Sequence, residues 1–172
     1  MNEDIIGQIK QGDILIYPTD TIYGLGCDAF NEQAVERIKK IKGRDRDKPL
    51  SVIAPSKQWI DEHCIIDVNL DDYLPGPYTL ILNKKQPDFL KHVASGDKLG
   101  VRIPDCSFTE IIQKSGKPFI TTSVNLSGEK PAICLDDISA EIKKQVDLVM
   151  PSNEKLSGKP SSLVINGEIV GR

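Results

Sequence analysis

Five short stretches of this 172-residue chain gather hydroxyl, amide and cationic side chains in patterns that suit a charged polar ligand. The first is Tyr17-Pro18-Thr19-Asp20-Thr21-Ile22-Tyr23-Gly24-Leu25-Gly26. An apolar run ends there, hydroxyls and a carboxylate follow, and two glycines let backbone approach something closely. Thr19 and Thr21 offer neutral hydrogen bonds, and Asp20 can orient a partner. The same residue types also make an ordinary turn. The second is Lys42-Gly43-Arg44-Asp45-Arg46-Asp47-Lys48-Pro49-Leu50. Lys42, Arg44 and Lys48 can converge on a triphosphate, guanidinium as a planar fork and ammonium as a compact charge. A solvated basic loop would use the same residues, and the Gly-Lys-Ser/Thr run of a Walker loop is absent. The third, Thr121-Thr122-Ser123-Val124-Asn125-Leu126-Ser127-Gly128, delivers hydroxyls and one amide, which suit polar edges and phosphate oxygens. The fourth places Arg102 in the apolar run Gly100-Val101-Arg102-Ile103-Pro104, either as a paired edge residue or as a carboxylate clamp. The fifth, Ser161-Ser162-Leu163-Val164-Ile165, opens an apolar strand with two hydroxyls.

Charge is concentrated around the second stretch. Between positions 37 and 48 lie seven basic and two acidic residues, a local charge of +5, while the whole chain is -3 and the remainder therefore -8. A dense basic window on an acidic protein marks a local anion site or a solvated helix end, and it excludes a polycation seeking nucleic acid as a whole. Cys27, Cys64, Cys106 and Cys134 are scattered, and the two histidines, His63 and His92, have no zinc-ligand spacing, so no metal site is expected. Unpaired thiols, with neither a leader peptide nor a membrane span in view, point to the cytoplasm.

The elements that must position these stretches are legible from periodicity. Ile5, Ile6 and Ile9 have helical spacing, ended by Gly12. Residues 13–17 read as a buried strand stopped by Pro18, and 23–29 as a second extended piece. Asn31 caps a helix whose apolar face is Ala34, Val35, Ile38 and Ile41, ended by Gly43. Strands are expected over 50–54, 78–82, 99–103, 119–122, at Val149 and over 163–165. Ser56 caps a short helix through Ile60, Pro75-Gly76-Pro77 forces a turn, Phe108, Ile111 and Ile112 form a helix closed by Gly116, and 138–146 reads as helical. With 39% hydrophobic residues and no linker or repeat, the expectation is one domain over 1–172: an α/β (α+β) fold with an open, twisted mixed sheet flanked by helices.

In order and spacing, the motifs resemble the YrdC/Sua5 family, the L-threonylcarbamoyladenylate synthases. The family pattern appears here as Pro18 to Gly26, Lys42 to Leu50, Pro75 to Thr79, Arg102 to Pro104, Ser123 to Gly128 and Ser161 to Val164, nearly the whole chain. The resemblance implies a YrdC/RibB-like sheet around a large concave basic cavity, in the short single-domain form. It implies a cytoplasmic nucleotidyltransferase that consumes ATP, L-threonine and bicarbonate or CO2. The products are threonylcarbamoyl-AMP and pyrophosphate, for N6-threonylcarbamoyl (t6A) modification of tRNAs that read codons beginning with A. Mg2+ would accompany the triphosphate. Downstream threonylcarbamoyl-transfer proteins would take the product.

By similarity, Lys42 and Arg44 are the catalytic cations. Lys42, Arg44, Lys48, Ser123, Asn125 and Arg172 meet ATP, and Thr21, Arg102, Thr121 and Ser161 surround L-threonine, with Arg102 on its carboxylate. The threonine amine would be carboxylated first, and the carbamate would attack the α-phosphorus. No protein nucleophile is needed, in keeping with the absence of a Ser-His or Cys-His arrangement. The chain departs from the pattern in carrying Ile53 where many relatives have histidine, Ser161-Ser162 for Ser-Thr, Asn166 for a common acid, and Arg172 as its last residue. The alternative is a non-catalytic module that binds tRNA or double-stranded RNA through the same cavity. An aromatic content of 5% argues against it.

Overall fold

A computed structural model describes residues 2–43, 45, 47–126 and 128–171. Among the described residues ten strands form a single mixed sheet: β1 (Leu15–Pro18), β2 (Tyr23–Gly26), β3 (Ser51–Ile53), β4 (Cys64–Ile65), β5 (Tyr78–Lys84), β6 (Lys98–Arg102), β7 (Phe119–Ser123), β8 (Leu148–Val149), β9 (Ser162–Ile165) and β10 (Glu168–Val170). The spatial order is β10-β9-β5-β6-β3-β7-β2-β1-β8, with β4 also on β5. The helices are α1 (Asn2–Gln11), α2 (Glu32–Ile41), α3 (Lys57–His63), α4 (Ser107–Ser115) and α5 (Ala140–Lys143). None is long and apolar enough to cross a membrane. Asn31 and Ser56 cap α2 and α3 through their side chains, as expected from sequence.

Alternation of side chains along each strand divides the sheet into two faces. Ile16, Leu25, Val52, Leu80, Val101, Ile120 and Val164 enter the larger core with the apolar stripes of α2 and α3. On the opposite face Leu15, Tyr17, Ile53 and Phe119 meet Ile5 and Ile9 of α1 and Phe108, Ile111 and Ile112 of α4. That second cluster covers only part of its face. Register carries the same face onward: Ile53 lies opposite Arg102 and Phe119, while Ser51 lies opposite Gly100 and Thr121. One step along the strands, apolar side chains therefore give way to a polar row.

Several local expectations change. Pro18 ends β1 in register with Tyr23 rather than stopping the strand before it. The helix expected over 138–146 shrinks to Ala140–Lys143, because Ser139 caps it and the preceding residues Leu135–Asp137 form a 3-10 turn. Two strands lacked an expectation. β4 is two residues long, and β10 returns antiparallel to β9 through Asn166 and Gly167, both with positive φ (51° and 77°). Asn-Gly is the usual pair for such a two-residue hairpin turn, so β10 was signalled by its turn rather than by its own pattern. Gly24 and Gly26 do permit close approach, to the chain itself. A Cβ on Gly24 would lie 2.7 Å from the Tyr17 ring, and one on Gly26 would lie 1.9 Å from the Ile120 carbonyl of β7.

Candidate functional site

The polar row on the second face lines a cavity. Its walls come from the turn after β1 (Thr19), from β2 (Tyr23, Gly24), β3 (Ser51), β5 (Thr79), β6 (Arg102) and β7 (Thr121, Thr122, Ser123), and from Ser161 just before β9. A hollow of about 320 Å³ adjoins it, sharing Ser51, Thr121, Thr122 and Ser123 and adding Pro49, Leu50, Ile81 and Leu163. The first compartment is rich in hydroxyls around one guanidinium, and the second adds apolar surface.

Arg102 is 5% exposed. Its Nη2 donates to Asp20 Oδ1 at 2.6 Å, a short charge-assisted bond between the buried guanidinium and a carboxylate that is 12% exposed, and its Nη1 donates to Thr21 Oγ1 at 3.3 Å. Its Nε, also buried, makes no hydrogen bond to any described residue. The other Asp20 oxygen accepts from the Asp105 backbone N–H at 3.1 Å. Thr19 organises the turn. Its Oγ1 donates to Ile22 O at 2.7 Å and accepts the backbone N–H groups of Thr21 and Ile22. A hydroxyl has one proton, so the 2.9 Å contact between the Thr19 and Thr21 hydroxyls requires Thr21 as donor. Bonds therefore run in one direction, from Arg102 to Thr21 to Thr19 to the Ile22 carbonyl.

Thr79 and Ser161 face each other across the β5–β9 boundary with their hydroxyls 2.8 Å apart, both buried. Tyr17, under Gly24, donates its hydroxyl to Ile120 O at 3.1 Å, and burial holds its pKa well above the usual phenol range. Burial likewise raises the half-buried Cys106 thiol, whose sulfur lies 3.8 Å from Pro18 O.

The residues expected from sequence fall into three groups. Arg102, Thr121, Ser123 and Ser161 line the cavity together. Thr21 is not on its wall; it lies fully buried behind Arg102. Lys42 and Asn125 come together beside Ser123, outside the lining of the cavity. Lys42, a residue 3% exposed at the end of α2, donates through its ammonium to the Ser123 carbonyl, to Asn125 O at 2.9 Å and to Asn125 Oδ1 at 3.5 Å. Asn125 Nδ2 donates to the carbonyls of Leu126 and Glu129, which shapes the loop. Lys48 is exposed, next in the chain to Pro49 of the adjoining hollow. Arg44 and Arg172 lie outside the described residues. Ile53 is fully buried against the α1–α4 cluster. Ser51 was not singled out from sequence, and Thr79 and Thr122 stood inside quoted motifs without an assigned role. The signal available for Ser51 and Thr79 was a lone hydroxyl at the alternate position of an otherwise apolar strand.

Among the described residues no group of three or more His, Cys, Asp or Glu is arranged to hold a metal ion. Asp20, the carboxylate behind the cavity, has both oxygens engaged.

Known proteins resemble both the sequence and the fold. The Sua5/YciO/YrdC family model, described as "Telomere recombination", matches residues 7–169. A putative threonylcarbamoyl-AMP synthase of Methanocaldococcus jannaschii is 37% identical over 163 residues, covering 91% of this chain and 76% of its own. A threonylcarbamoyl-AMP synthase of Vibrio campbellii is 29% identical over 171 residues, covering 94% and 91%. P. abyssi Sua5, solved in complex with L-threonine, superposes with a TM-score of 0.83 at 26% identity over 95% of this chain. The chain spans about half the length of that P. abyssi protein, 50% of it.

Proposed function

Since the chain belongs to the Sua5/YciO/YrdC family, we propose that it is an L-threonylcarbamoyladenylate synthase, and that residues 1–172 act as a single YrdC-like unit in the cytoplasm. The observation that carries this reading is the buried Arg102 guanidinium in a hydroxyl-lined cavity that opens into a second, partly apolar hollow. In this reading an amino acid carboxylate meets Arg102, with its own hydroxyl among Thr79, Thr121 and Ser161. An adenine nucleotide fits the second, along Ser123 and the Ile81–Leu163 floor.

The chemistry follows from that juxtaposition. L-Threonine loses an amine proton and adds CO2 to give a carbamate. A carbamate oxygen forms a bond to the α-phosphorus of ATP, and the bond to the β-phosphate oxygen breaks. Pyrophosphate leaves and threonylcarbamoyl-AMP remains. Acceleration comes from placing the two substrates and from cations that stabilise the charge leaving with pyrophosphate, and no covalent protein intermediate forms. Lys42, Arg44 and Lys48, with Arg172, serve the nucleotide in this reading. Lys42 joins α2 to the loop of Ser123 and Asn125, so a phosphate set against that loop meets its ammonium. Thr21 serves threonine through Arg102. Mg2+ arrives as the companion of ATP, and no step is assigned to it. The product then passes to threonylcarbamoyl-transfer proteins that modify tRNA.

The test is pyrophosphate release with each substrate omitted in turn. The expected result is release from ATP only when L-threonine and bicarbonate are both supplied. Turnover indifferent to threonine overturns the reading. Salt-sensitive RNA binding without ATP dependence would favour the RNA-binding alternative instead.

A further inference from the structure

Asp20 lies outside the wall of the cavity, yet it touches the most consequential group in it. We infer that Asp20 is the positioning residue for substrate carboxylate recognition: its carboxylate fixes which edge of the Arg102 guanidinium faces the ligand. The inference rests on the threonine-binding reading above.

The guanidinium carries five N–H bonds in a rigid plane. Asp20 takes one on Nη2 and Thr21 takes one on Nη1, so two separate terminal nitrogens are tethered from the same turn. Two tethers to one turn define the rotation of the plane. The Nε–H remains without a partner among the described residues, and a buried polar group in that condition is costly unless something arrives to meet it. Asp20 also compensates charge. A lone buried guanidinium would be desolvated without a counter-ion, whereas the Asp20–Arg102 pair is neutral before ligand enters.

Asparagine cannot replace this carboxylate. Both Asp20 oxygens accept, one from Arg102 Nη2 and one from the Asp105 N–H. An amide has one accepting oxygen, and its NH2 would face a donor whichever way it is turned.

The same dipeptide reaches the other side of the cavity through its main chain. The carbonyls of Asp20 and Thr21 accept the N–H groups of Ser157 (3.2 Å) and Gly158 (2.9 Å). Those residues belong to the segment that leads into Ser161, which pairs with Thr79 on the far wall. Side chains of the 20–21 turn thus hold Arg102, and its backbone holds the strap that delivers Ser161.

The experiment is a steady-state comparison of full-length wild type, Asp20→Asn and Asp20→Glu, titrating L-threonine and ATP separately by pyrophosphate release. Thermal shift with each ligand is measured in parallel. Asp20→Asn is expected to raise KM for L-threonine about tenfold or more, the loss of one charge-assisted contact, while KM for ATP stays within about twofold. Its threonine-dependent thermal shift disappears and its ATP-dependent shift persists. Asp20→Glu, which keeps two accepting oxygens, is expected to recover part of the loss. An unchanged threonine KM in Asp20→Asn overturns the inference, and so does an equal rise in both KM values, the mark of general loosening. If Asp20→Asn fails to fold, Thr21→Val removes the other tether and is expected to give the same split at smaller size; equal KM changes there overturn it too. Wild-type protein with no threonine-dependent signal overturns the synthase reading, and the inference falls with it.

Discussion

Lys42 illustrates how one residue joins two elements before any ligand is considered. The residue is buried at the end of α2 and its ammonium donates to carbonyls of the loop after β7. Replacing it with alanine leaves the partly buried carbonyls of Ser123 and Asn125 short of a strong donor. Lys42→Ala is therefore expected to lose about 1.5–3 kcal/mol of stability, read as a lower urea midpoint at unchanged slope, besides weakening ATP binding. An unchanged midpoint would show that the carbonyl contacts contribute nothing net. A smaller effect is expected at the opposite wall. Ser161→Ala removes one partner from the Thr79–Ser161 pair and strands a buried hydroxyl, at a cost of about 1–3 kcal/mol in the same measurement.

At the scale of elements, the cavity depends on how closely β2, β7, β3 and β6 pack. Gly26 faces the Ile120 carbonyl so closely that a methyl group has no room, since backbone oxygen cannot rotate away. Gly26→Ala is expected to cost about 3 kcal/mol or more, because β2 and β7 must separate. Gly96 has open space around the same position, so Gly96→Ala serves as the control and is expected to be near neutral in chemical denaturation. Comparable losses in both variants would remove the close-approach explanation. Gly100 repeats the theme between β6 and β3, where a Cβ would lie 2.3 Å from the Oγ of Ser51, a cavity-lining residue.

For the whole molecule, buried thiols set the alkaline limit. Burial raises Cys27, Cys64 and Cys106, with Cys64 going from 9.0 to about 11. In the unfolded chain a thiol ionises near 9.0, so above that pH the unfolded state has lost protons that the folded state keeps. The contribution is whole below pH 9.0 and is lost as pH rises through about 11 for Cys64. Lys84 acts in the other direction. Burial lowers its ammonium from 10.5, so the unfolded chain holds the extra proton and stability rises through the interval below 10.5. Three thiols, joined by the Tyr17 and Tyr23 phenols that burial also raises, against one ammonium give a net fall. Denaturation midpoints followed above pH 9.0 are expected to decline, and Cys64→Ala is expected to make the decline shallower; an identical slope would exclude Cys64 as a contributor.

Much of this architecture is local and therefore readable along the chain. The Asn31 cap and the Ala34-Val35-Ile38-Ile41 stripe specify α2 from within ten residues, and alternation specifies which side chains of β5 and β7 share a face. The order of the motifs likewise pointed to Arg102, Thr121, Ser123 and Ser161, which do share one cavity. What local pattern cannot carry is the partner of each group. Asp20 and Arg102 are 82 residues apart, and Lys42 and Ser123 are 81 apart. Their meetings depend on a strand order that places β6, β3, β7, β2 and β1 side by side, and strand order is chosen by the burial of whole faces rather than by any one segment. Thr21 shows the same dependence: the stretch is chemically apt, and only assembly of the sheet buries its hydroxyl against the Arg102 guanidinium.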